Sequence, residues 1–151
     1  MVALQLPLTN PSPVFGLALL LVILLLGMSE IFSLDLLPAV ALISVLGLEH
    51  AWHFEHFDPT RATPPLIWYL EFYALFTIFP FVFHRRFAGK TVPWATAALA
   101  GPLHFYLIYE LVCTAYPSGV PGLVPVAFAL PALLGLFTVL KRTPLDRKSV
   151  V

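Results

Sequence analysis

The sequence predicts an all-α integral membrane protein: a bundle of four transmembrane helices with an additional short apolar or re-entrant segment. Three observations carry that reading. Sixty per cent of the 151 residues are hydrophobic, mean hydropathy is +0.92, and the charged residues, 11 % of the chain, stand at the ends and breaks of apolar runs. A domain of this size has too little interior to hide so much apolar surface from water. A lipid surround removes the difficulty, and the whole chain reads as a single helical domain, 1–151.

Crossing the hydrocarbon core takes roughly 20 residues of helix. The first such run, 14–32, is opened by Pro13, a residue suited to a first helical turn. It has no basic leader and no small-x-small cleavage site before Glu30, so it reads as a retained helix, not a signal peptide. The next apolar run, 36–48, carries no charge but has Pro38 near its start. It is short for a span and reads as buried or re-entrant, with a fifth crossing as the alternative. The remaining spans fall at 66–84, 92–115 and 120–140. Pro80, Pro102, Pro125 and Pro131 lie in or near them, where each frees a backbone carbonyl and bends the helix.

Lysine and arginine set the orientation. Arg85, Arg86 and Lys90 follow the 66–84 span; Lys141, Arg142, Arg147 and Lys148 follow the last one. Two spans separate the clusters, so the positive-inside rule puts both, and the C-terminus, in the cytoplasm. The net charge of zero gives no reason to expect nucleic acid. The single cysteine, Cys113, excludes an internal disulfide and a cysteine-rich metal site.

The embedded polar residues bear on function. At 1.5 Å per residue, Glu71 lies about 9 Å into its span, and His104 and Glu110 about 18 and 27 Å into the antiparallel next one. Glu30 and Asp35 are expected to close the first helix on the same side. A carboxylate at the bilayer centre costs roughly 2.5–3.5 kcal/mol even on a permissive scale, so these groups are expected to face protein or a wet cavity. Glu71, His104 and Glu110 are the candidate pocket residues, and Trp68 and Tyr106 stand among the aromatics around them. Carboxylates and aromatic faces together suit a ligand with an apolar body and a cationic or hydroxyl head. The bland alternative is that some of these groups only solvate helix ends.

The densest polar cluster is Glu49-His50-Ala51-Trp52-His53-Phe54-Glu55-His56. On a helix His50 and His53 share a face, and two imidazoles with a carboxylate could hold zinc. The pattern is not His-Glu-x-x-His. An interfacial helix whose histidines cover a pocket mouth is the preferred reading, without metal or cofactor. A paired haem site is not expected either, because His84 and His104 are far apart along the spans.

Asp58-Pro59-Thr60-Arg61-Ala62-Thr63-Pro64-Pro65, followed by Trp68 and by Pro80-Phe81, resembles the EXPERA family, whose members include the sigma-two receptor and the emopamil-binding sterol isomerase. The resemblance extends to Asp35, to Leu130-Pro131 and to the basic tail. It implies that Asp35 and Asp58 hold a ligand's ammonium group, and that Glu71, His104 and Glu110 are candidates for moving a proton during double-bond migration. The His50, His53 and His56 cluster has no counterpart in that pattern, and Glu71 comes early. The expected function is membrane-embedded binding of a sterol-like or amphipathic lipid, with isomerase activity as an extension. The alternative is an accessory subunit of a larger membrane complex, associated as a homodimer or with other membrane proteins.

Overall fold

The computed structural model describes residues 10–118, 121–130 and 133. Four helices dominate it: α1 (Ser12–Phe32), α2 (Leu37–His56), α3 (Thr63–Val82) and α4 (Thr91–Ala115). Each is long and apolar enough to cross a membrane; at 1.5 Å per residue, 20 residues span about 30 Å, the thickness of a hydrocarbon core. The chain is an all-α membrane bundle. Residues 123–130 are also helical, while the rest of the run expected to span 120–140 lies mostly outside the described residues.

The main departure from the sequence reading is α2. The run at 36–48 does not stop short; the helix continues through the polar cluster to His56. The cause is its buried stripe. Pro38, Ala41, Leu42, Val45, Glu49, Trp52 and His53 recur at three- and four-residue spacing and all face protein, so packing carries the helix through residues that look like loop.

Prolines and one turn conformation set the remaining boundaries. α1 ends where Ser33 adopts a left-handed conformation (φ 58°), and Pro38 falls in the first turn of α2, where its missing N–H has no cost. Asp58 precedes Pro59 and is extended, which keeps α2 from running on. Its side chain then caps a single 3-10 turn, Pro59–Arg61, by accepting from Thr60 N at 2.9 Å. Pro64 and Pro65 open α3. The turn into α4 passes through Gly89 at φ 79°, a conformation that strains any residue with a Cβ.

α3 packs most extensively on α4, α2 packs on both α1 and α4, and α1 also touches α3. Phe15 fills the centre of one end, with ring centroids 5.7 Å from Trp52, 5.9 Å from Tyr69 and 6.1 Å from Phe72. Such tilted and edge-on contacts are the favoured aromatic geometry. Outside the bundle, Leu17, Leu20, Ile23 and Leu24 of α1 are exposed. A helix that is apolar all round belongs in lipid.

The two ends of the bundle differ. At the turn end, the α1–α2 and α3–α4 connections meet: Lys90 Nζ pairs with Asp35 at 2.7 Å, and Arg86 donates to Glu30 O at 3.0 Å, Ile31 O at 3.4 Å and Ser33 Oγ at 2.8 Å. At the other end, here the cluster end, α1 begins, α2 finishes and the 3-10 turn lies between α2 and α3. There Trp68 Nε1 donates to Ser12 Oγ at 3.3 Å, and Thr63 and Tyr116 share a hydroxyl hydrogen bond of 2.9 Å.

Candidate functional site: a buried glutamate–histidine pair

Two titratable side chains are sealed inside the bundle. Glu49 of α2 and His104 of α4 are each 0 % exposed, with Oε2 and Nε2 3.4 Å apart. His104 lies on the buried stripe of α4 with Ala100, Leu107, Ile108 and Leu111. Its Nδ1 is 2.8 Å from Ala100 O, four residues back. As a donor to a carbonyl, Nδ1 carries the ring proton, which leaves Nε2 facing Glu49 with a lone pair. Neither Glu49 oxygen, nor His104 Nε2, has a partner of full hydrogen-bond geometry. One proton shared between Oε2 and Nε2 would satisfy the two facing atoms, leaving Oε1 of Glu49 without a partner.

More titratable groups continue from this pair toward the cluster end. Tyr69 of α3 is fully buried and lies within electrostatic reach of Glu49. Its hydroxyl is 3.4 Å from His53 Nδ1, and the His53 ring stacks on Phe57 with centroids 4.4 Å apart. His50 and Glu110 both act electrostatically on His53, and Glu110 Oε2 is buried without a hydrogen bond. Counted back along each helix axis from the cluster end, His53 lies about 4–5 Å deep, Glu110 about 8 Å, Tyr69 and Glu49 about 9–11 Å, and His104 about 16 Å. Acid–base groups from three helices therefore stand at successive depths toward mid-membrane, a ladder in which the Glu49–His104 and Tyr69–His53 pairs are in contact. Tyr73, stacked on Phe128 at 4.5 Å, covers His104 on its other side at 6.2 Å.

The sequence-nominated residues distribute unevenly around this ladder. His104 and Glu110 belong to it. Glu71 is exposed on the outer face of α3, and Tyr106 is exposed on α4. Trp68 is partly buried and bound to Ser12. Asp58 is exposed and occupied as the turn cap. Asp35 is tied to Lys90 at the turn end. Because α2 runs between Asp35 and Asp58, they sit roughly 30 Å apart at opposite ends of the bundle and do not converge. Nor do Glu30 and Asp35 lie beneath the 49–65 segment, since α2 carries the chain away from them. His50 bonds its own helix at Leu46 O (2.8 Å), and among the described residues no three His, Cys, Asp or Glu side chains form a metal-holding group.

Glu49 is a site residue that the sequence reading left within the interfacial polar cluster and did not nominate. The signal for it was present: 42, 45, 49 and 52 are spaced as one helix face. No family model, curated protein or solved structure matches this chain.

Proposed function

We propose that the chain is a membrane-embedded acid–base module whose working group is the Glu49–His104 pair, and that its elementary act is uptake and release of a proton within the bilayer. The observation that carries this is the complete burial of two facing titratable side chains whose facing atoms lack full hydrogen bonds. Intramembrane ionisable residues are expensive and mark proton relays or ligand sites. The ladder through Tyr69, His53 and Glu110 supplies a route from one face. By the positive-inside rule, the turn end with Arg85, Arg86 and Lys90 would be cytoplasmic, so the ladder would open on the other side. A cytoplasmic C-terminus follows if residues 120–140 cross once more.

The same pair could serve a sterol-like or amphipathic lipid. Glu49 and His104 would then act as proton donor and acceptor in double-bond migration, and Tyr73, Phe105 and Phe128 would meet the apolar body. That version requires an opening beside His104 wide enough for a ring system. Infrared difference spectra of the reconstituted chain between acidic and alkaline buffer test the shared element. A carboxyl change lost in E49Q, with altered imidazole vibrations, is expected; identical spectra for wild type and E49Q would overturn it.

Glu71 favours a second reading, that of a subunit in a larger membrane assembly. An exposed carboxyl about 12 Å along a spanning helix is costly in lipid, and a partner helix would relieve it. Co-purification of other membrane chains that is lost in E71L supports that reading; unchanged behaviour of E71L counts against it.

A further inference from the structure

Where α2 gives way to the 3-10 turn, Trp52, His56, Asp58 and Arg61 line a small recess of ≈ 50 Å³. It lies at headgroup level, where aromatic residues commonly stand. Among the described residues Arg61 is the only Lys or Arg at this end, since Arg85, Arg86 and Lys90 all lie at the turn end. Its side chain is exposed and in no ion pair with the described residues. Three residues earlier, Asp58 is held rigidly: Oδ1 accepts from Thr60 N at 2.9 Å and from Thr60 Oγ1 at 2.8 Å. Those two bonds, the backbone one first, hold the carboxyl below its ordinary range and leave Oδ2 for another donor. His56 stacks on Trp52 at 6.0 Å, and its buried Nδ1 faces the Glu55 carboxylate at 3.9 Å.

A fixed anion and an exposed cation around one recess complement a zwitterion. Arg61 offers the forked donor that suits phosphate. Asp58 Oδ2 can accept, so the matching cation must carry N–H donors, which a quaternary ammonium lacks. A recess this small also favours a compact ammonium over a trimethylated one. We propose that it is an interfacial site for a phosphoethanolamine headgroup, with the phosphate on Arg61 and the primary ammonium on Asp58. The site does not depend on Glu49 or His104.

Native mass spectrometry of the full chain, titrated with phosphatidylethanolamine, phosphatidylcholine and phosphatidylglycerol, tests the assignment. Phosphatidylethanolamine should be retained about fivefold better than phosphatidylcholine, the ratio that roughly 1 kcal/mol supplies. R61Q should weaken retention of phosphatidylethanolamine and phosphatidylglycerol alike. D58N, which keeps an Oδ1 acceptor for Thr60, should weaken phosphatidylethanolamine alone. Competition by free phosphoethanolamine would assign recognition to the headgroup; lipid selectivity that survives an excess of it would assign the source to the bilayer. Equal retention of phosphatidylethanolamine and phosphatidylcholine by the wild type, or unchanged phosphatidylethanolamine retention in both variants, overturns the proposal.

Discussion

The turn end and the cluster end of this bundle contain similar residue types and use them in opposite ways. At the turn end three of the charges are tied down: Lys90 with Asp35, and Arg86 with two backbone carbonyls and Ser33. Toward the cluster end, Glu49, His104, Glu110 and His56 all hold atoms without a full hydrogen bond. Among the described residues, the buried side-chain atoms elsewhere along the spans without a full hydrogen bond are two neutral hydroxyls, of Ser29 and Thr77. A matched charge holds a connection in place, whereas an unmatched buried one keeps an appetite for a proton or a ligand. The two ends therefore divide into scaffold and candidate site.

The largest effect expected from breaking this contrast lies at the buried pair. H104L leaves Glu49 facing a hydrocarbon surface and should destabilise the chain by about 1–3 kcal/mol, the usual penalty for orphaning a buried polar group. E49L combined with H104L removes both partners and should recover most of that loss. Thermal unfolding in detergent of the two single variants and the double variant gives the cycle; a double variant as unstable as the sum of the singles would show that the residues are uncoupled.

At the turn end R86A removes three bonds to the α1–α2 connection. A loss of about 1 kcal/mol is expected, small because the group is exposed and water replaces what is lost. Proteolysis near Ser33 should rise in this variant, with no change in the infrared signature of Glu49. D35N should cost less, about 0.5 kcal/mol, and the difference from wild type should shrink at high salt, since the pair is partly exposed. If D35N proved as damaging as H104L, the division between scaffold and site would fail.

The smallest effect concerns pH at the Asp58 cap. Its carboxyl is held below the ordinary value of 3.8 in the folded chain. Its stabilising contribution is therefore present above that pH and fades as the pH falls through the lower folded value. Hydrogen exchange at the Thr60 amide should accelerate under those acidic conditions, and the T60A variant, which keeps the backbone donor, should show a weaker version of the same dependence.

Composition alone determined that this chain belongs in a membrane, because no packing arrangement of so few residues hides so much apolar surface from water. It also located α1, α3 and α4 to within about three residues, since long apolar runs bounded by proline leave little choice. The site was only half legible. His104 and Glu110 could be picked out as polar residues inside apolar runs, a cost that is visible without coordinates. Glu49 was harder to single out, because it sits where hydrophobicity drops and its place on the 42, 45, 49 and 52 face counts only if α2 runs on to His56. Its burial comes from the far sides of α2, α3 and α4 closing around it. Glu71 shows the converse: an equally embedded carboxyl, on the wrong face of its helix to join the others. Depth along a helix can be read from spacing, but which way a side chain faces is decided by the neighbours it packs against, and that belongs to the tertiary structure.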